Sequence, residues 1–444
     1  MTAVPPASNA ARPSLFRDSS FWGMTVTQLL GAFNDNVFKQ LVLLIGIDYV
    51  AHFKLESDPY QSVALAAFAI PFVLLSGFAG WLADRVSKRR IVVLMKVAEI
   101  GVMLAGMIAF LSGEMYSTTL IVLLIVVLCL MSAQSAIFGP SKYGILPELF
   151  HEHDLPQANG MIQMTTFLAI IFGMAVCGAA KDYVQQSDVG LWIVSAGCVA
   201  IAILGTLTSL TIRRTGIAVP DLPLRASSFG VDRNTLVMLR EHRQMLVVLL
   251  ISCLFWFLGS MVTTTVNAYG RLQLGLGDLY TSLLAAVLAV GIAVGCVLAG
   301  VFSKGRVSFG LVNRASWGIC GALLLLSGVP LLGLETAAAG WLSGLLLLLL
   351  GVAAGLFAVP LQVYLQAKPP PDQKGRMIGT MNLFNWIAIL ISSPVYAVCS
   401  RLFTLPAASA EGKPVSIIAW TFAILAATIL PVAIIFRPQD EALE

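Results

Sequence analysis

Apolar residues gather in twelve runs, at about 21–50, 60–83, 91–112, 117–139, 156–181, 190–212, 244–269, 279–302, 308–332, 337–366, 375–402 and 415–436. A helix of about twenty apolar residues crosses the roughly 30 Å hydrocarbon core of a bilayer. The runs therefore predict twelve membrane-spanning helices in an all-α protein. Most are joined by short polar turns, and the longest polar connection, 213–243, falls midway. The predicted organisation is a disordered tail over 1–20, a six-helix bundle over 21–212, a linker loop over 213–243, a second six-helix bundle over 244–436 and a tail over 437–444.

Composition agrees. Hydrophobic residues fill 58% of the 444 positions and charged ones 11%, too few charges to cover a soluble protein of this size. The net charge of +4 is small and dispersed, which excludes a nucleic-acid surface and leaves the placement of Lys and Arg as the informative quantity. Arg12, Arg17, Arg85, Lys88, Arg89, Arg90, Lys142, the six arginines of 213–243, Lys304, Arg306, Arg314, Lys368, Lys374, Arg376 and Arg437 fall on one side of the predicted topology. Only Lys54, Lys181, Arg271, Arg401 and Lys413 fall on the other. This asymmetry puts both termini and the linker in the cytoplasm. The seven cysteines lie within or at the ends of apolar runs without CxxC spacing, as small buried hydrophobes do. No metal site is expected, and His151-Glu-His-Asp154 reads as a solvated loop.

Against this background the first run stands out. Gln28-Leu-Leu-Gly-Ala-Phe-Asn-Asp-Asn-Val-Phe-Lys39 places Gln28, Ala32, Asp35 and Lys39 within about 60° of one another on one helix face, with Asn34 and Asn36 adding polarity. A charge at mid-membrane costs about 2.5–3.5 kcal/mol on insertion scales, so this face must meet other helices or water. The spacing of four lets Asp35 and Lys39 offset each other. The polarity exceeds what one structural pair needs, and the face reads as the lining of a pathway. Lys96 and Glu99, three apart on the third helix, form a second self-neutralising pair that either extends this pathway or stitches helices together.

Two loops carry further signals. Gly77-Phe-Ala-Gly-Trp-Leu-Ala-Asp-Arg-Val-Ser-Lys-Arg-Arg90 puts Gly77 and Gly80 where helices can approach closely. Asp84 can pair with an arginine or meet a helix N-terminus. With Arg85, Lys88, Arg89 and Arg90 it forms a candidate conformational latch. The position 220 residues later, Gly300-Val-Phe-Ser-Lys304-Gly-Arg306, keeps the basic turn but replaces the acid with Lys304. At the end of the fourth run, Gly139-Pro140 should end or kink the helix. That leaves Lys142 at headgroup level where an ammonium can meet phosphate, with Glu148 to hold Lys142 or a loop arginine. Uncharged polar stripes follow at Asn159 and Gln163, at Gln362 and Gln366, and at Asn382 and Asn385. They suit a wetted cavity wall and interhelical hydrogen bonding about equally.

The architecture and the 77–90 loop resemble the major facilitator superfamily, whose members handle substrate between two six-helix bundles near mid-membrane. Four strings narrow the likeness to the bacterial lysophospholipid transporters. Gly139-Pro-Ser-Lys-Tyr-Gly-Ile-Leu-Pro-Glu-Leu149 resembles their GP-[SA]-KYGIL-x-EL segment, and Gln28–Asn36 their QFL-x-AF-x-DN. Leu155-Pro-Gln-Ala-Asn-Gly160 and Gly355-Leu-Phe-Ala-Val-Pro-Leu-Gln-Val-Tyr-Leu-Gln366 resemble two more of their motifs. The resemblance implies a carrier that moves lysophospholipid from the outer to the inner leaflet of a bacterial cytoplasmic membrane by alternating access, for reacylation. It also implies membrane lipids as surroundings and a cytoplasmic acyltransferase as a candidate partner. One departure concerns the headgroup: the family's arginine within helix 7 has no counterpart, since Ser260, Thr263, Thr264, Thr265 and Asn267 occupy that stretch.

No enzyme motif is present. An acyltransferase would need His and Asp five positions apart ahead of a soluble fold, and a nucleotide-driven pump would need a phosphate-binding loop. No cofactor is expected. Two alternatives remain open: an exporter of another amphiphile or small molecule, and a non-transporting membrane partner of an acyltransferase.

Overall fold

The computed structural model describes residues 13–54, 59–112, 117–186, 190–405 and 415–443. Arg12 and Lys413, named above in the charge count, lie outside them. Twelve long helices appear among the described residues: α1 Ser19–His52, α2 Pro59–Arg85, α3 Lys88–Ser112, α4 Thr118–Gly144, α5 Leu155–Gln185, α6 Trp192–Leu210, α7 Arg243–Ala268, α8 Asp278–Phe302, α9 Phe309–Gly328, α10 Thr336–Ala367, α11 Lys374–Phe403 and α12 Trp420–Ile435. Each coincides with one predicted run. Ten of the twelve are long and apolar enough to cross a membrane by length and composition. α12 falls outside that group as the shortest of the twelve, because Val415–Ser416 pairs as a strand with Thr404–Leu405 and the helix starts only at Trp420. α1 falls outside that group because Asn34-Asp35-Asn36 and Lys39 interrupt its apolar run.

Local chemistry explains the ends. Asp18 caps α1 by accepting from the Ser20 N–H at 2.8 Å, and Ser117 caps α4 by accepting from Leu120 N–H at 3.1 Å. Residues 13–20, read from sequence as the end of a disordered tail, are instead ordered: Leu15–Arg17 make a short turn whose Leu15 is buried. The tail at the other end is also tied down. Glu441–Ala442 pairs with Arg306–Val307, and the Asp440 carboxylate accepts from the Gly310 N–H at the start of α9 at 2.9 Å. The acid that the 300–306 turn lacks is thus supplied to that neighbourhood from the C-terminal tail.

Two compact units emerge. The first contains 1–151, 168–241 and 368–383, and the second 152–167, 242–367 and 384–444. α5 and α11 each contribute one part to either unit. Within the first, α2 packs on α4, α3 on α4 and α6, and α1 on α6 and α4. Within the second, α8 packs on α10, α9 on α10 and α12, and α7 on α10 and α12. The second set repeats the first at an offset of six helices, the signature of an internal duplication. A core of Phe38, Leu41, Ile45, Met103, Leu124, Leu128 and Met131 fills the first unit, while Leu74, Leu111 and Leu325 point outward at 59–62% exposure, as lipid-facing residues should.

Candidate functional site

The polar face of α1 meets α4 inside the first unit. The Ser135 hydroxyl donates to Asp35 Oδ2 at 2.6 Å. Asp35 Oδ1 is buried without a hydrogen-bond partner among the described residues. Lys39 does not form the direct ion pair that its spacing suggests. Its ammonium donates to Asn36 Oδ1 at 3.0 Å and sits 4.9 Å from the centre of the Phe68 ring, while the Asn36 amide donates to the Ala32 carbonyl at 2.7 Å. Lys39 stays within electrostatic reach of Asp35, as does Lys142. Seven residues separate Ser135 from Lys142, so both lie on one face of α4, about 10 Å apart along its axis.

That geometry requires α4 to continue. Gly139-Pro140 does not end it; the helix runs to Gly144 with Pro140 inside, so Lys142 projects from a helix, with Nζ 4.4 Å from the centre of the Tyr143 ring. Glu148 holds neither Lys142 nor a loop arginine. It accepts from Lys88 at 2.5 Å, which leaves the Lys142 ammonium without a direct carboxylate partner among the described residues. Gln28 is 4% exposed, within the helix packing.

Lys96 and Glu99 resolve differently. Both are 1% exposed, their charged ends 2.5 Å apart. The Asn34 amide donates to Glu99 Oε1 at 2.8 Å and to the Cys198 carbonyl at 3.1 Å. A Cβ on Gly31 would stand 2.3 Å from Lys96 Nζ; glycine there makes the room the ammonium occupies. The pair is sealed among α1, α3 and α6, stitching them.

The amides of the second unit also bind one another. Asn159 and Gln366, both fully buried, exchange two hydrogen bonds of 2.8 Å. Gln163 is buried beside Cys296. Asn385 accepts from the Ser252 hydroxyl at 3.2 Å, and the half-buried Gln362 has a buried amide nitrogen without a partner among the described residues. Asn382, in the first unit, packs against Gly139 of α4.

In the last turn of α2, where the sequence suggested a loop, Asp84 does both things its chemistry allows. Fully buried, it accepts from the Gly375 N–H at 2.7 Å and the Arg376 N–H at 3.1 Å, at the start of α11. It also accepts from Arg376 Nε at 3.1 Å. A Cβ on Gly80 would stand 2.8 Å from the Gly375 carbonyl, and one on Gly77 2.3 Å from that of Gly230. Arg85 donates to the Leu222 carbonyl and Arg89 to those of Ile212 and Leu210, while Arg90 is exposed.

Several participants escape sequence reasoning. Ser135 and Phe68 are ordinary residues of apolar helices. Arg376 left a trace, since a base in the first turn of a helix opposes the macrodipole and calls for an acid. Asp48 and Lys181, 2.7 Å apart, join α1 to α5 and could not be matched by spacing.

Twelve helices in a duplicated pairing carry one polar face where, among the described residues, neither Lys39 nor Lys142 is bonded to a carboxylate and Asp35 Oδ1 has no hydrogen-bond partner, an arrangement that suits a membrane carrier. The Major Facilitator Superfamily profile matches residues 19–393, and the chain belongs to that family. Among curated relatives, the lysophospholipid transporter LplT of Yersinia pestis (strain Pestoides F) is 28% identical over 400 residues, covering 88% of this chain and 89% of the relative. LplT of Yersinia pseudotuberculosis serotype O:3 matches equally. Solved structures agree on the fold. The human organic anion transporter MFSD10 superposes with a TM-score of 0.69 at 13% identity, covering 95% of this chain and all of that one. A bacterial homologue of the iron transporter ferroportin, in an outward-facing state, gives 0.66 at 15%, covering 93% and 98%.

Proposed function

We propose that this carrier moves lysophospholipids from the outer to the inner leaflet of a bacterial cytoplasmic membrane, working as a flippase by alternating access of the halves 21–212 and 244–436. The observation that carries the reading is the α1/α4 face, where Lys39 and Lys142 each lie within electrostatic reach of Asp35 and, among the described residues, neither ammonium has a carboxylate hydrogen-bonded to it. A phosphate headgroup resists hydrocarbon, and a single acyl chain does not. Two ammoniums and a spare carboxylate oxygen give the headgroup a polar track, while the tail stays among Leu, Val, Ile and Phe. Lys39 takes the part that the family's helix 7 arginine leaves vacant. Gln28, Asn36 and Asn382 border the track, Lys96–Glu99 with Asn34 braces it, and Glu148 acts at one remove by holding Lys88. The amides Asn159, Gln163, Gln362, Gln366 and Asn385 belong to the wall of the second unit. Asp84 with Gly77, Gly80 and the basic cluster latches the cytoplasmic end. Reacylation by a cytoplasmic acyltransferase follows delivery.

Purified protein in proteoliposomes without any acyltransferase should carry fluorescent lysophosphatidylethanolamine or lysophosphatidylglycerol between leaflets faster than protein-free vesicles. Folded protein that gives no acceleration would contradict the reading and favour the scaffold alternative. Both termini are proposed to be cytoplasmic. In a cysteine-free background, Glu335→Cys should react with an impermeant thiol reagent in intact spheroplasts and Arg225→Cys should not. The reverse pattern inverts the topology. Glu114 and Asp188, expected beside Glu335, lie outside the described residues.

A further inference from the structure

The linker touches α2 along two turns. The Val219 N–H donates to the Asp84 carbonyl at 2.9 Å, Arg85 donates to the Leu222 carbonyl at 3.0 Å, and Trp81 Nε1 donates to the Pro223 carbonyl at 3.2 Å. Phe229 stacks on Phe78 with ring centres 5.4 Å apart. Gly77 is what lets the backbone at Phe229-Gly230 lie against the helix, since a Cβ there would meet the Gly230 carbonyl at 2.3 Å. A segment serving only as a tether needs none of these contacts.

Anchored in this way, the linker presents Asp232 to Arg376. The guanidinium is then held on three sides: Nε by Asp84 at 3.1 Å, Nη1 by Asp232 Oδ2 at 2.9 Å, and Nη2 by the Asp372 carbonyl at 2.8 Å. Its side chain is 8% exposed, against 0% for Asp84 and 20% for Asp232. One arginine therefore faces two carboxylates, one from α2 and one carried on α2 by the linker.

We propose that the linker is a working part of the latch, with Asp232 as a second acid gripping Arg376, so that the first turn of α11 leaves α2 only when both carboxylates let go. This rests on the latch reading of Asp84. Drawing the linker off α2 removes one of the two grips and shifts the closed–open equilibrium of the latch, so linker docking sets how often it opens. Each charge-assisted hydrogen bond to Arg376 is expected to hold that equilibrium by about tenfold.

The test reads the latch without any substrate. Ser76, 0% exposed on α2, lies against Gly379 of α11. In a cysteine-free background, the labelling rate of Ser76→Cys by a membrane-permeant maleimide reports separation of the two helices. Asp232→Asn should raise that rate about tenfold. Phe229→Ala, which loosens the linker without touching Asp232, should raise it as well, and Asp232→Glu should stay near the parent. Monodisperse elution in detergent certifies each variant as folded. If Asp232→Asn and Phe229→Ala label at the parent rate while Asp84→Asn labels fast, the linker is only a tether and the proposal is overturned. If Asp84→Asn also labels at the parent rate, the latch reading itself fails.

Discussion

Asp35→Asn is expected to abolish most transport while the protein still inserts and accumulates. The carboxylate accepts from Ser135 and keeps its second oxygen without a partner among the described residues, which suits a group that meets a substrate better than one that holds a helix. Replacing it with an amide keeps the size and a hydrogen bond to Ser135 but removes the charge from the track shared with Lys39 and Lys142. Losing one charge-assisted contact, worth about 1.5–3 kcal/mol, lowers flux by about tenfold or more. Exchanging the pair, Asp35→Lys with Lys39→Asp, keeps net charge and should recover abundance but not flux. In this structure Lys39 bonds to Asn36 and Phe68 rather than to Asp35, so the exchange has no ion pair to rebuild. Full flux from the exchanged protein would show that the charges matter only as a structural pair.

Glu99→Ala should produce the largest loss of stability. Lys96 and Glu99 are sealed together, and the Asn34 amide is bonded to the same carboxylate. Removing the acid strands a buried ammonium packed against Gly31 and Gly205. Breaking a buried pair from one side costs about 3–5 kcal/mol, visible as a sharply lower melting temperature in detergent and as reduced accumulation. The paired change Lys96→Met with Glu99→Leu removes both charges, and such replacements are often neutral or stabilising. It should recover much of the stability. Equal destabilisation by the single and double variants would show that volume rather than charge decides this site.

The fold was legible because one signal, apolar runs of spanning length, repeats twelve times and needs no long-range information. Helix ends were less so. α4 passes through Pro140 because the proline removes only one donor and neighbouring helices can support the turn it interrupts, a tertiary effect that local rules do not contain. The stripe on α1 was legible as polarity but not as partners. Spacing suggested Asp35 with Lys39, and the fold instead gave Asp35 to Ser135 and Lys39 to Asn36, since α4 brings a hydroxyl closer than the helix brings its own base. Glu148 went to Lys88, sixty residues away. Asp84 was readable in kind, an acid seeking an arginine or a helix start, whereas Arg376 and Asp232 lie 292 and 148 positions further on and only folding joins them.

The central claim is that the ammoniums of Lys39 and Lys142 serve a phosphate headgroup. The measurement that tests it most directly is flux in proteoliposomes of fluorescent single-chain lysophospholipid beside its two-chain counterpart, for the parent and for Lys39→Ala with Lys142→Ala. The account predicts rapid movement of the single-chain lipid by the parent, poor movement of the two-chain lipid, and single-chain flux reduced by about tenfold or more in the double variant, as expected when charge-assisted contacts to phosphate are lost. A folded double variant that moves lysophospholipid at the parent rate would contradict it.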